Sequence, residues 1–179
     1  GSAVERWTAE YLYQRAPRPD LLAREVAAMR RRLEEELAEE NGDFYNLKVG
    51  RGGLLDVEFV AQYLQLRHGG ERVELRGRST LAVLEAAREL GVLAAAPAET
   101  LSVGYRFLRR LESRLRIVRD RSDERLPANE KALEVIARRL SYRQNSEVSA
   151  ARLLLDDYRR HTVGIRRAYE ETLDRGERS

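Results

Sequence analysis

Residues Lys48 to His68 read KVGRGGLLDVEFVAQYLQLRH, a glycine-rich turn running without a break into an apolar segment. From Leu54 onward, Val57, Val60, Ala61 and Leu64 fall on one side, and Leu55, Phe59, Tyr63 and Leu66 on another. That three-to-four-residue spacing is helical. A helix apolar on nearly all sides has to be surrounded, so this segment predicts the central element of a helical bundle. Its one polar stripe, Glu58, Gln62 and Gln65, must face solvent or meet partners inside the protein, because unpaired buried polar groups are costly. His68-Gly69-Gly70 ends it.

The flanking sequence repeats the helical pattern. Glu5 to Arg15 puts Trp7, Tyr11 and Leu12 on one side, and Pro17 and Pro19 close it. Asp20 can cap a second helix with Leu22, Val26, Met29, Leu33 and Leu37 as its apolar face. Arg30-Arg31-Arg32 and then Glu34 to Glu36, Glu39 and Glu40 read as charge pairs in the weaker order, with acids at the negative end of the helix dipole. A frayed end is expected there, stopped by Asn41-Gly42. Ser79 or Thr80 opens a short helix to about Leu90, stopped by Gly91. Pro97 sits in the first turn of a long helix to about Asp120, with Leu101, Tyr105, Leu108, Leu111 or Glu112, Leu115 and Val118 in its seam. After Pro127, one helix covers Asn129 to Leu140 and a last one Ser146 to about Asp174. No alternating strand pattern stands out. The fold class is all-α: a bundle of about six or seven helices with short connections.

The totals fit that reading. The 179 residues are 42% hydrophobic and 35% charged, a mixture suited to one globular domain with a sizeable core. Without cysteine there are no disulfides and no thiol chemistry. No apolar run reaches the roughly 18 residues of a membrane span, so no membrane partner is expected. The composition fits a cytoplasmic protein. A net charge of +3 is too small to indicate nucleic acid, and no such partner is expected. Gly1-Ser2 looks like a cleavage scar, which leaves residues 3–179 as a single helical domain, expected to be cut from something larger.

Candidate chemistry gathers at the glycine turn. Lys48, Gly50, Arg51, Gly52 and Gly53, followed by a helix N-terminus with unbonded N–H groups, suit an anion. The alternative is tight helix packing through the glycines. The turn matches neither a P-loop nor a dinucleotide fingerprint. Asp56-Val57-Glu58 imitates the metal pair of nucleotidyltransferases, but residues two apart on a helix diverge by about 200°, so no shared metal is expected. Asp56 is a natural first-turn acid, whereas Glu58, among apolar neighbours, reads either as an ion pair or as the edge of a site. On the long helix Arg106, Arg110 and Arg114 share a face, either as solvated surface paired to Glu112, Asp120 and Asp123 or as a docking face for an acidic partner. His68 and His161 are isolated, and neither a zinc site nor a metal-dependent phosphohydrolase is expected.

These motifs, in order, carry a family resemblance. Lys48 through Phe59, Gln62, Leu64-Gln65-Leu66, His68-Gly69-Gly70, Leu75-Arg76, Ser79-Thr80, Gly91, Tyr105 through Glu112, Arg114-Leu115, Asp120 and Leu126-Pro127 resemble the helical domain of bacterial glutamine synthetase adenylyltransferase, over nearly the whole chain. Trp7 and Glu10 look like the segment that follows the catalytic fold. The resemblance implies a parent nucleotidyltransferase with one catalytic domain before each of two helical domains. One half moves AMP from ATP, with Mg²⁺, to a tyrosine of glutamine synthetase; the other removes it by phosphorolysis, and the signalling protein PII and glutamine set the balance. It implies three partners: glutamine synthetase, PII and the preceding nucleotidyltransferase domain. The Leu54-Leu55-Asp56-Val57-Glu58-Phe59 form looks more like the adenylylating half, although Tyr105 to Glu112 also looks like the other. The glycine–serine turn and metal carboxylates of the catalytic fold are absent, so the segment is expected to be inactive alone, with no catalytic residue and no tightly bound cofactor. The helical domain of PII uridylyltransferase, or a pure docking scaffold, is the alternative.

Overall fold

The apolar periods become six α-helices in a computed structural model that describes residues 19–38, 42–119, 125–143 and 148–177. They are α1 (Pro19–Leu37), α2 (Leu54–His68), α3 (Thr80–Glu89), α4 (Ala95–Arg119), α5 (Glu130–Arg139) and α6 (Ala150–Glu177), with one 3-10 turn at Val73–Leu75. The expected helix over Glu5 to Arg15, Trp7 and Glu10, the Asn41 stop, Asp120, Asp123 and the Ser146 start lie outside the described residues. Asn129 caps α5, its side chain accepting the Ala132 N–H at 3.1 Å, as its place before an apolar period suggests.

Two helices organise the bundle. α2 packs on α1, α3, α4 and α6, burying Leu54, Val57, Phe59, Val60, Ala61, Tyr63 and Leu64, which is the central role its sequence predicts. α6 lies along α1, α2, α4 and α5, contributing Leu154, Tyr158, Ile165, Tyr169 and Leu173 to the same core.

Two expectations are corrected. The sequence shows no strand, yet β1 (Phe44–Asn46) pairs antiparallel with β2 (Arg125–Pro127), Tyr45 opposite Leu126. Segments of three residues are too short for alternation to register. The ribbon fixes the entry to the glycine turn. The second correction concerns α1. Met29 and Leu37, read as core, are 61% and 52% exposed, while Arg30 is fully buried. The inward arc is Leu22, Ala23, Val26, Ala27, Arg30 and Leu33, because the charge of Arg30 finds partners that methionine would not need. The frayed end expected around Glu39 and Glu40 lies outside the described residues; up to Ala38 the chain is held, the Ala38 N–H bonding Glu34 O at 3.1 Å and Asn46 Nδ2 reaching the Leu37 and Ala38 carbonyls at 3.5 Å.

Candidate functional site

The glycine turn closes on itself. Asn46 Oδ1 accepts the N–H groups of Lys48 (3.1 Å) and Val49 (3.0 Å), and the Asn46 carbonyl takes that of Gly50 at 3.0 Å. The N–H groups of Gly53, Leu54, Leu55 and Asp56 bond the carbonyls of Gly50, Leu47, Lys48 and Gly53, and that of Gly52 bonds Asp56 Oδ2 at 2.9 Å. The expected row of free donors is therefore used up inside the turn. This follows from the glycines themselves. Gly52 has φ +72, and a Cβ there would lie 2.0 Å from the Thr162 carbonyl oxygen of α6; one on Gly53 would meet three carbonyls of the turn within 2.8 Å. The glycines let the chain fold back and let α6 come close. What the turn offers outward is side chains: Lys48 and Arg51 are exposed, and Arg51 Nη2 pairs with Glu170 Oε1 at 3.0 Å.

Beneath the turn lies a buried ion network that the sequence reading missed. Arg30 and Asp56 are both fully buried and joined through Arg30 Nε and Asp56 Oδ1. Arg30 Nη2 also donates to the carbonyls of Val49 and Gly50, each at 2.9 Å, and Nη1 stands 3.4 Å from Glu34. Arg166 closes the cluster from α6: its Nη1 reaches Glu34 at 3.0 Å and Asp56 at 3.4 Å, and its Nε reaches Glu170 at 2.7 Å. Burial pushes the Asp56 carboxyl up, while Arg30, Arg166 and the Gly52 N–H pull the other way. Tyr169 stacks under Arg166 at 5.1 Å, and burial beside Asp56 lifts its phenol to about 12. In the sequence Arg30 sits in a run of three arginines and Asp56 fits a first-turn acid, so neither stands out. The available signal was phase: Arg30 continues the Leu22, Ala23, Val26 arc.

Glu58 belongs to a different neighbourhood. Tyr105 OH donates to Glu58 Oε1 at 3.0 Å, and Arg109 Nη2 lies 3.7 Å away. Arg109 and Arg116 hold buried Glu112 at 2.9 and 3.1 Å. Gln65 fixes the Leu75 carbonyl at 2.8 Å, and Gln62 is exposed. Together Glu58, Gln62 and Gln65 line one wall of a polar cavity of about 240 Å³ completed by Arg78, Thr80 and Val83. Asp56 thus faces α1 and α6 while Glu58 faces α4, diverging as their spacing predicts. The glycine turn and Glu58 have no common partner among these contacts. Among the described residues no three histidine or acidic side chains cluster to hold a metal ion. Lys48, Arg51 and Arg78 supply charge suited to phosphates.

The remaining candidates lie apart. Arg106, Arg110 and Arg114 are exposed along α4. Phe107 stacks on His161 with centroids 4.4 Å apart, and partial burial lowers the pKa of both His161 and His68. Among the described residues no helix is long and apolar enough to cross a membrane.

The chain belongs to the family described as GlnD PII-uridylyltransferase, whose pattern matches residues 27–173. It is also similar to proteins named bifunctional glutamine synthetase adenylyltransferase/adenylyl-removing enzyme. The one from Nocardia farcinica is 37% identical over 165 residues, which is 91% of this chain and 16% of that protein. The Mycobacterium marinum protein is 38% identical over 165 residues, again 91% and 16%. That from Ralstonia nicotianae is 45% identical over 97 residues, 54% of this chain and 10% of the relative. The chain thus spans about a sixth of the length of the first two relatives.

Proposed function

We propose that this chain is the helical domain of an enzyme that moves AMP from ATP to a tyrosine of glutamine synthetase and reverses the transfer by phosphorolysis. In this reading Mg²⁺ and the reacting groups belong to a preceding nucleotidyltransferase domain, the setting is cytoplasmic, PII modulates the balance, and the helical domain alone is inactive. Family membership and the name shared by the relatives support it. The observation that carries the role of this chain is the turn held from below. Arg30 fixes the Val49 and Gly50 carbonyls and Asp56 fixes the Gly52 N–H, so the turn carrying Lys48 and Arg51 has little freedom to move. Pre-organised charge costs less to use when a phosphate arrives. Gly50, Gly52 and Gly53 shape the turn, and Glu58 lines the polar cavity on the other side of α2.

The test is kinetic, in the intact enzyme. Lys48→Ala and Arg51→Ala should raise KM for ATP with the helical circular dichroism unchanged. Unchanged kinetics in both turn variants would refute the nucleotide role. The family's description favours a second reading, in which the parent moves UMP from UTP to PII. Presenting the intact enzyme with each nucleotide and each acceptor protein separates the two.

A further inference from the structure

Several exposed arginines of this chain come with their own counter-charge. Arg88, Arg138, Arg152, Arg160 and Arg167 each reach a carboxylate three or four residues away on the same helix. Arg106, Arg110 and Arg114 do not, and the sequence forbids it. Positions three and four away hold Ser102, Val103, Phe107, Arg109, Leu111, Ser113, Ile117 and Val118, or the other arginines of the set. Within the set, Arg106–Arg110 and Arg110–Arg114 are like charges four residues apart, which works against the helix. All three side chains are exposed, and none has a carboxylate partner among the described residues. The same stripe carries an exposed aliphatic residue at each end, Val103 (45%) and Ile117 (69%). At about 100° per residue these five positions fall within an arc of roughly 80°, and at ~1.5 Å per residue they span about 21 Å. Beside Val103 the stripe opens into a shallow hollow of about 530 Å³ between α4 and α6, lined by Ala96, Glu99, Thr100, Arg160 and His161.

We infer that this face of α4 docks an acidic amphipathic helix of another protein, with carboxylates one turn apart set between two apolar residues. Charge complementarity selects the acidic partner, and the one-turn repeat of the arginines matches a helix laid alongside. The bracketing aliphatics favour protein over nucleic acid, whose backbone offers phosphates but no apolar ends for Val103 and Ile117. The hollow beside Val103 receives the larger apolar residue. The choice of a protein partner rests on the reading of the parent as an enzyme with a protein acceptor; the surface itself does not involve the glycine turn.

The test uses the full chain and a fluorescein-labelled 22-residue helical peptide carrying glutamates at three- and four-residue spacing between a tryptophan and a leucine. Its controls are a peptide of the same composition with scrambled order and a labelled 20-base-pair duplex, all read by anisotropy. The patterned peptide should bind, the scrambled one at least fivefold more weakly. Arg106→Glu/Arg110→Glu/Arg114→Glu should weaken binding at least tenfold, and Val103→Ala/Ile117→Ala should weaken it several-fold, with circular dichroism unchanged in each. Lys48→Ala/Arg51→Ala should leave it unchanged, so failure of the nucleotide reading stays separate from failure of this one. Equal binding of both peptides, no binding of either, no effect of charge reversal, tighter binding of the duplex, or a dimer of this chain abolished by the reversal would each overturn the inference.

Discussion

Replacing Arg30 by methionine keeps an unbranched stem in a fully buried position and removes only the guanidinium. Asp56 would then be left buried with one guanidinium contact, Arg166 at 3.4 Å, and the Val49 and Gly50 carbonyls would lose the Arg30 donor. Removing one member of a buried pair costs about 3–5 kcal/mol, because the other charge stays desolvated. A domain has about 5–15 kcal/mol in all, so this single change removes a large share. At about 2–4 °C per kcal/mol for a chain of this size, Tm should fall by roughly 6–20 °C. Asp56→Leu should cost about the same, since it strands Arg30. The double variant Arg30→Met/Asp56→Leu should cost clearly less than the two single losses added, with a coupling of about 2 kcal/mol. Urea unfolding followed by far-ultraviolet circular dichroism measures all three. Single losses below about 1 kcal/mol, or losses that add within ~0.5 kcal/mol, would refute the claim that Arg30 and Asp56 hold the turn as a pair.

Two further outcomes follow from the same geometry. Gly52→Ala forces a Cβ to within 2.0 Å of the Thr162 carbonyl oxygen at a positive φ, so the turn and α6 must part, with a loss of more than about 1–3 kcal/mol; an unchanged melting temperature would show that the approach is not tight. Folding lowers the pKa of His161 and His68 below the ordinary 6.5 through burial. The unfolded chain then binds more protons just below that pH, so stability is present above it and is lost as pH falls toward the folded values. His161→Gln/His68→Gln should flatten the fall of Tm between about pH 6.5 and pH 5; an equally steep fall in the variant would assign it to other groups.

How much of this was legible in the sequence depends on what each residue had to signal. The helices α2, α3, α4, α5 and α6 follow from apolar spacing and from Asn129, Gly69 and Gly91, and α2 is as central as its many-sided apolar surface suggests. β1 and β2 left no trace, because three residues cannot display a period of two. The glycine turn was legible as a special backbone, but the destination of its hydrogen bonds was not. Whether its N–H groups face outward or inward depends on Asn46 and Asp56, whose partners are tertiary. Arg30 was misread for the same reason: an arginine among arginines looks solvated until a carboxylate 26 residues away and two carbonyls are found to meet it. Glu58 was recognised as having partners, but Tyr105 and Arg109, which stand 47 and 51 residues further on, could not be assigned by spacing.

The position of α6 in the chain has a consequence for synthesis. The helix that lies along α1, α2, α4 and α5 follows all of them in order, so the earlier helices leave the ribosome without the surface they pack on. Asp56 and Arg166 are 110 residues apart. At about 5–20 residues per second, roughly 5–20 s pass between the two. During that interval the carboxylate and the underside of the glycine turn lack Arg166, and the apolar faces that α6 covers stay open. Maturation of this domain is therefore gated by the arrival of its last helix, and a chaperone that shields nascent apolar surface would find its longest opportunity there.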